Sequence, residues 1–298
     1  MIGIGTIIWN QKLSSEFNHK ISAVVCVRNE EKQIGECLEK IVASNPDEVI
    51  LVDGGSDDRT LDIGEFYADK VIKSGASNLT RDRQLGIDQA THDFIAMIDA
   101  DHRIAPGSIQ SLLQDLIDND FDIVQAQLVG YPPQSFWNKC EEETWELFHN
   151  KPGPRKMIGT APCIYRKSVF SKAKFDDVIT TGMDDTDFIY RLSKNPEIKY
   201  GIGKTKIAQH HDYGLVTYIH KFIWYGVGDG QFFRKHPQRA ASMVFHLLFR
   251  YPLIYVFQSL LQGKWRASIF CFIQGFVRFI GLIRYLVLTL FRIERPVR

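Results

Sequence analysis

The chain has 298 residues, with 36 lysine and arginine residues against 35 aspartate and glutamate residues, a formal net charge of +1. This balance gives no reason to expect a nucleic-acid partner, since a protein that binds a polyanion gains from an excess of positive charge. Hydrophobic residues make up 45% and charged residues 24%, which is typical of a globular protein. The five cysteines are scattered without a CxxC pair, which indicates a reducing compartment.

Predicted strands and helices alternate along the first hundred residues. The β-branched run 21–27 predicts a buried strand, and apolar residues recur at helical spacing from Ile34 to Val42. Further strands are predicted at 48–52, around Val71 and at 94–98, and further helices near 60–69 and 81–90. The alternation predicts an α/β fold with a mostly parallel sheet flanked by helices.

Polar residues follow three of these strands where each strand ends. They are Arg28-Asn29-Glu30, Asp53-Gly54-Gly55-Ser56 and Asp99-Ala100-Asp101. Any one of them could be a solvated turn. Ligands of such sheets bind at the carboxyl ends of the strands, so the three together predict a site at this edge.

The segment "FIAMIDADHRI" (94–104) ends an apolar run on two carboxylates, Asp99 and Asp101. Side chains two apart on a strand point the same way, so the two are expected side by side. They would repel each other unless a positive group lay between them. A hard divalent cation is the natural candidate, because it takes oxygen ligands and often bridges carboxylates to phosphates. An aspartate-rich turn is the alternative from this segment alone.

The last sixty residues differ in charge from the rest of the chain. Between Asp229 and Glu294 there is no acidic residue, whereas nine lysine and arginine residues occur there. We therefore expect a boundary near 235–240, with a domain at 1–238 and a tail at 239–298. The motifs below all precede residue 238, so the tail is expected to be dispensable for a site built from them.

On a helix, residues 266–292 separate into an arginine-containing arc and an apolar arc. The longest uncharged stretch is shorter than the roughly 18–20 apolar residues that span a bilayer. The pattern predicts a helix in the membrane interface, with Arg266, Arg278, Arg284 and Arg292 toward lipid head groups. Residues 241–262 show the same trend less clearly. A pair of helices packed on the preceding domain and a pair of tilted spanning helices are the alternatives.

Six segments, in order, resemble motifs of the family 2 glycosyltransferases, which have the GT-A fold. They are "VVCVRNEE", "VILVDGGSDDRT", "RQLGIDQATHDFIAMIDAD", "GTAPCIYRKSVF", "TGMDDTDFIYRL" and "YGVGDGQFFRKHP". The resemblance covers roughly residues 20–236. It implies a nucleotide-binding half at about 20–101 and an acceptor half at about 102–238.

The resemblance implies an inverting glycosyltransferase with a nucleotide-diphosphate sugar as donor, a UDP-sugar ahead of a GDP-sugar, and Mg²⁺ or Mn²⁺ as cofactor. It implies that Asp53 accepts from the base, Glu30 contacts the nucleoside and Arg83 supports the base or phosphates. Asp99 would contact ribose or the metal, and Asp101 would ligate the metal. The other donor-binding residues that it implies are Val27, Asn29, Gly55 and Ala100.

Asp184, Asp185 and Asp187 crowd the start of a predicted helix in "MDDTDF". Acidic residues are favourable at a helix N-terminus, which is a sufficient reason for Asp184 or Asp187. Asp185 occupies the family's aspartate position, whereas Asp184 replaces the usual glutamate. The resemblance therefore implies that Asp185 is the catalytic base, which would take the proton of the acceptor hydroxyl.

"QHHDYG" (209–214) contains His210 and His211. An imidazole could complete the metal shell, as in some relatives, or the pair could lie in a surface turn. Spacing to Tyr225-Gly226 favours His211 as the ligand.

The acceptor is expected to be lipid-linked. Processive relatives carry Gln-x-x-Arg-Trp where this chain has "HKFIW" (220–224), so a processive polysaccharide synthase is disfavoured. A membrane-associated member commonly transfers to a lipid-linked glycan or carrier, here at the cytoplasmic face of the cell membrane, as a peripheral or monotopic protein. Direct loading of sugar onto a polyprenyl phosphate is the first alternative. A silent membrane scaffold and a nucleotidyltransferase are the others, and a homo-oligomer is left open.

Overall fold

In the computed structural model of the protein, residues 19–75, 78–132, 134–211 and 213–291 are described. Nine strands of these residues form one mixed sheet. They are β1 (Ile21–Val27), β2 (Glu48–Asp53), β3 (Lys70–Lys73), β4 (Phe94–Asp99), β5 (His102–Arg103), β6 (Ile123–Gly130), β7 (Gly153–Pro154), β8 (Cys163–Arg166) and β9 (Tyr200–Gln209). The order is β3-β2-β1-β4-β8-β6-β9-β5, and β7 pairs with β9.

The four strands predicted from the sequence are all present and are parallel to one another. The α/β class with a helix-flanked sheet is confirmed. The second half of the sheet is more mixed than predicted, because β8 lies antiparallel to both β4 and β6. Strand β9 is parallel to β6 and then meets the short β5 in antiparallel fashion.

Ten α-helices of the described residues surround the sheet. They are α1 (Ile34–Ala43), α2 (Thr60–Tyr67), α3 (Leu79–Gln89), α4 (Ser108–Asp118), α5 (Phe136–Thr144), α6 (Asp184–Leu192), α7 (Leu215–Lys235), α8 (Ala240–Phe245), α9 (Val256–Leu261) and α10 (Trp265–Leu290). Wider π-helical turns follow α5 at Trp145–His149 and join α8 to α9 at His246–Tyr255. Pro252 lies inside the second π-helical turn, as expected because proline lacks the N–H that a regular helix needs.

Both faces of the sheet are buried, which explains why β1 is apolar throughout. Its residues Ile21, Ala23, Val25 and Val27 pack on the face covered by α1 and α4. The alternate residues Val24 and Cys26 pack on the opposite face, with residues of α3 and α6. All five cysteines are buried and free.

The tail packs closely on the preceding domain through glycines. A Cβ at Gly226 of α7 would lie 2.1 Å from the Arg278 carbonyl oxygen of α10. A Cβ at Gly281 would lie 2.4 Å from the Ile223 carbonyl oxygen. Only glycine lets the two helix backbones approach this closely. The predicted alternative of helices packed on the preceding domain is therefore correct for the inner face of α10.

The outer faces of the tail helices are exposed and apolar. We call the following residues the apolar stripe: Phe245, Phe249, Leu253, Phe257, Leu261, Ile269, Phe272, Phe276, Ile280, Ile283, Val287 and Leu290. They recur every three or four residues, as expected for one side of a helix. Pro237–Leu261 and Trp265–Leu290 are both long and apolar enough to cross a membrane. The stripe is consistent with membrane association of the tail.

The predicted direction of the tail arginines is partly wrong. Arg278 forms a buried ion pair with Asp229 of α7, and Arg266 lies 3.4 Å from Glu143 of α5. A helical wheel shows which residues share one side of a helix, but it does not show whether another helix places an acidic residue against that side. Arg284 is exposed without an ion pair among the described residues. Arg292 lies outside them.

Candidate active site

The two carboxylates of "IDADH" meet at a turn between β4 and β5. Ligand atoms of Asp99, Asp101 and His102 lie within 4.8 Å of one another. The backbone N–H of Asp99 donates to Nδ1 of His102 over 3.0 Å, which holds the turn. The predicted proximity of Asp99 and Asp101 is present, but a turn causes it, because β4 ends at Asp99. Sequence reasoning did not assign His102 to this cluster, although it follows Asp101 directly.

The two carboxylate oxygens of Asp101 differ in their hydrogen bonding. Its Oδ2 accepts from Gln209 Nε2 at 2.8 Å and lies 2.9 Å from His211 Nε2. Its Oδ1 is buried and has no hydrogen-bond partner within the described part of the chain, with His102 Nε2 3.8 Å away. Burial opposes ionisation, but His211 and His102 hold the pKa of Asp101 well below its ordinary value. A buried, ionised oxygen without a partner fits a ligand of a divalent cation.

His211 lies behind Asp101 because β9 pairs with β5 and brings residues 209–211 to this turn. It is 4% exposed, so the surface-turn alternative is wrong for this residue. Its Nδ1 lies 3.0 Å from Oε2 of Glu141, which also accepts from the Tyr218 hydroxyl at 2.7 Å. Burial lowers the pKa of His211, but the two carboxylates raise it overall. Its role as a metal ligand stays a prediction.

Glu141 was missed by sequence reasoning, because it lies on α5 outside any motif. It is buried, and Lys221 Nζ lies 3.6 Å from its Oε1. Burial opposes ionisation, but Lys221, His211 and Tyr218 lower the pKa of Glu141 to about 2. A carboxylate on the far nitrogen of a histidine is a common way to orient a metal ligand.

The turns after β1 and β2 are joined by hydrogen bonds. Asp53 Oδ2 accepts from the Gly55 N–H at 3.2 Å, and Asp53 Oδ1 accepts from the Ser56 hydroxyl at 2.5 Å. Gly55 has a φ of 91°, which favours glycine, and Asn29 has a φ of 56°. The Asn29 side chain accepts from the Asp57 N–H at 2.8 Å. Asp53 and Asn29 thus build the turns, and their contact with a nucleotide stays a prediction, as for Val27 and Gly55.

Glu30 brings a third carboxylate toward the Asp99–Asp101 turn. Its N–H donates to Thr60 Oγ1 at 2.7 Å, while its side chain is half-buried. Burial, and then the charge of Asp101, raise the pKa of Glu30 to about 7. Carboxyl groups therefore cluster at this edge of the sheet, and a divalent cation there would favour their ionised forms.

Arg83 connects the Asp99–Asp101 turn to the start of α6. Its side chain is buried, with Nη2 3.3 Å from Asp99 Oδ1 and Nη1 bonded to Asp184 Oδ2. The Nε atom is buried, and none of the described residues forms a hydrogen bond with it. Arg83 was assigned to the base or phosphates, and that contact stays a prediction. Its position brings the segments around Asp99 and Asp185 close together.

The three aspartates of "MDDTDF" have different surroundings. Asp184 is paired with Arg83, and Asp187 is bonded to Arg191, Lys235 and His236 at 2.7–2.9 Å. Asp185 has no ion pair among the described residues, and its Oδ1 accepts from the Thr186 N–H at 2.5 Å. Burial, and then the charge of Asp184, raise the pKa of Asp185 to about 6. These surroundings suit a proton acceptor at neutral pH, because a base works best when its pKa lies near the working pH.

The family model described as "Glycosyl transferase family 2" matches residues 22–179, which is more than half of the chain. The chain belongs to this family. The family predicted from the six motifs is confirmed.

Two curated relatives extend this result. The "Uncharacterized glycosyltransferase EpsJ" of Bacillus subtilis is 31% identical over 243 residues, which are 65% of this chain and 71% of EpsJ. The "Dodecaprenyl-phosphate galacturonate synthase" of Rhizobium johnstonii is 33% identical over 124 residues, 38% of this chain and 36% of that protein. The match to a further curated relative covers only 50% of that relative's length.

Among solved structures, S. aureus TarS 1–349 in complex with UDP superposes with a TM-score of 0.55 at 17% identity. The match covers 94% of this chain and 93% of TarS 1–349. At this identity the likeness concerns the fold, and it confirms the GT-A prediction.

Proposed function

We propose that the protein is an inverting, metal-dependent glycosyltransferase that moves a sugar from a nucleotide-diphosphate donor to a lipid-linked acceptor. The observation that carries the proposal is the arrangement around Arg83. The buried guanidinium of Arg83 binds Asp99 of the Asp99–Asp101 turn. It also binds Asp184, the immediate neighbour of Asp185. These two contacts support a proton acceptor and a cation cluster at one site.

Asp99 and Asp101 would hold Mg²⁺ or Mn²⁺, with His211 as a further ligand. When bound, such a cation neutralises the charge that develops on the leaving diphosphate. Glu141 orients His211, and Gln209 holds Asp101 from the side of β9.

Asp185 takes the proton of the acceptor hydroxyl while the oxygen of that hydroxyl bonds to the anomeric carbon. The bond from that carbon to the diphosphate oxygen breaks, and its electron pair leaves with the nucleoside diphosphate. A single displacement of this kind inverts the anomeric centre. Asp184 does not compete for the proton, because its charge is held by Arg83.

The donor is proposed to be a UDP-sugar ahead of a GDP-sugar. The UDP complex of TarS, which has the same fold, supports this choice. We propose that the donor contacts the turns at the sheet edge and also Arg83 and Asp99. The residues of these turns that we assign to the nucleotide sugar are Val27, Asn29, Glu30, Asp53, Gly55 and Ala100.

The acceptor is proposed to be a lipid-linked glycan or carrier at the cytoplasmic face of the cell membrane. The exposed apolar stripe supports a peripheral or monotopic attachment to the membrane through residues 239–298, which follow the catalytic domain 1–238. The similarity to a protein named dodecaprenyl-phosphate galacturonate synthase supports a second candidate. The second candidate is a transferase that loads the sugar directly onto a polyprenyl phosphate. The phosphate anion is already a nucleophile, so this reaction needs no base.

The test is a screen of UDP- and GDP-sugars with Mn²⁺, Mg²⁺ or EDTA, with and without polyprenyl phosphate or a lipid-linked glycan. We expect metal-dependent release of nucleoside diphosphate and a product of inverted configuration by NMR. Release of pyrophosphate would identify a nucleotidyltransferase. No release with any donor would refute the proposal. Light scattering on the same preparation would measure whether the chain forms a homo-oligomer.

A further inference from the structure

The tail helix α10 reaches the loop that carries the candidate base. Arg278 is 11% exposed, and it binds Asp229 of α7 with two hydrogen bonds, of 3.0 Å from Nε and 2.7 Å from Nη2. The same Nη2 lies 3.4 Å from the sulfur of Met183. Met183 directly precedes Asp184 and Asp185. A residue of the tail thus contacts the loop one residue before α6 begins.

Helix α7 forms the wall between the tail and this loop. The Arg278 guanidinium carbon lies 5.6 Å from the ring centre of Tyr225. A Cβ at Gly182 would lie 2.3 Å from the Tyr225 ring, and a Cβ at Gly228 would lie 2.9 Å from Cγ of Met183. The loop therefore has no space to shift toward α7 unless these side chains move with it.

The position of Arg278 along α7 is fixed by the contact between Gly226 and Gly281. Their backbones touch, with a Cβ at Gly281 only 2.9 Å from the Gly226 Cα. Arg278 lies three residues before Gly281, and Asp229 lies three residues after Gly226. The glycine contact and the ion pair are therefore neighbouring parts of one helix crossing.

We propose that Arg278 is a positioning residue for Asp185. It acts through Met183 and Tyr225 and touches no reacting atom. The inference rests on the proposed function, because it takes Asp185 as the base. It adds that the geometry of the base depends on a helix whose outer face is the apolar stripe.

The test compares full-length variants for transfer kcat, affinity for UDP with Mn²⁺, and melting temperature. Arg278→Gln leaves Asp229 buried without a partner, so we expect a lower melting temperature. Arg278→Gln/Asp229→Asn removes both charges and should recover the melting temperature. If Arg278 positions the base, both variants should lose at least tenfold in kcat while UDP affinity changes less than twofold. The control is Thr289→Ala, at an exposed position of the same helix outside the apolar stripe, which should leave all three quantities unchanged.

Conservative replacement refines the result. Arg278→Lys keeps the charge but cannot make the two parallel hydrogen bonds, so we expect a kcat between those of the wild type and Arg278→Gln. Recovery of kcat together with melting temperature in the double variant would overturn the inference, because the pair would then be only structural. Loss of UDP affinity in parallel with kcat would overturn it as well.

A second measurement needs no substrate. The ¹³C resonance of the Asp185 carboxyl should titrate near pH 6 in the wild type, since its pKa is raised to about 6. In Arg278→Gln and in Arg278→Gln/Asp229→Asn we expect the midpoint to fall toward the ordinary value, as the loop leaves its buried position. An unchanged midpoint would contradict the inference. Wild-type protein without transferase activity would refute the proposed function instead, so the two failures are distinguishable.

Discussion

Asparagine at position 185 keeps the shape of the side chain and removes its ability to accept a proton. Positioned bases typically contribute about 10²–10⁴-fold to a rate, so Asp185→Asn should lower transfer to a hydroxyl acceptor by that factor. Affinity for UDP with Mn²⁺ should stay within twofold, because Asp185 has no hydrogen bond or ion pair to the Asp99–Asp101 turn among the described residues.

The pH dependence follows from the raised pKa of Asp185. Burial and the neighbouring Asp184 place it at about 6, above the ordinary 3.8. The base works in its ionised form, so activity should be retained above pH 6 and fall as the pH drops through 6. For a pKa of about 6, the ionised fraction is about 90% at pH 7 and about 10% at pH 5. The rate should therefore fall about tenfold between these values, and this limb should vanish in Asp185→Asn.

The assay is transfer from a labelled nucleotide sugar in detergent, with initial rates from pH 5 to pH 8 and a parallel calorimetric titration of UDP with Mn²⁺. Asp184→Asn is the matched control. It removes the charge that helps to raise the pKa of Asp185, so its acid limb should move to lower pH. Wild-type transfer by Asp185→Asn together with an inactive Asp184→Asn would refute the assignment. An active Asp185→Asn together with an inactive Asp101→Asn would favour a phosphate acceptor that needs no base.

Three further predictions concern the metal and the membrane. Asp101→Asn should abolish Mn²⁺-dependent UDP binding in calorimetry without lowering the melting temperature by more than a few degrees; unchanged affinity would contradict the metal role. Glu141→Gln should weaken Mn²⁺ affinity about 10–100-fold, as for other partners of ligating histidines, and leave the acid limb of the transfer rate near pH 6. Phe272→Ser/Phe276→Ser should weaken binding to phospholipid vesicles in flotation, at about 1.5–3 kcal/mol for each phenylalanine fully buried in the bilayer. High salt should weaken this binding only in part, because apolar burial is not screened; equal flotation of wild type and variant would show that the stripe does not contact lipid.

The parts of the site that could be predicted from the sequence are those encoded locally. Apolar runs followed by polar turns predicted β1, β2 and β4, and the aspartates after them lie at one edge of the sheet. The pairs that join distant segments could not be predicted in this way. Arg83 and Asp184 are 101 residues apart, and Glu141 and His211 are 70 residues apart. Only the β5–β9 pairing and the packing of α5 and α6 bring them together, and periodicity in one segment carries no information about that.

The tail shows the same limit. The alternation of arginine and apolar residues in 266–292 predicted a two-sided helix, and α10 has two sides. Which side meets lipid depends on a partner elsewhere in the chain. Asp229 and the glycines of α7 turn the Arg278 side inward, so removal of the tail would leave a buried carboxylate without its cation. The tail is thus not expected to be dispensable, contrary to the expectation from motif positions alone.

The burial of all five cysteines has a consequence for experiments. Burial raises the pKa of the thiols of Cys26, Cys37, Cys140 and Cys163, so almost none of each is thiolate at neutral pH. Cys271 of α10 is buried as well. Maleimide reagents should therefore spare the native chain in its folded state. A cysteine placed at Phe276 would then be the single labelled position, and a fluorophore or spin label there would report the depth of α10 in a bilayer without removal of any native cysteine.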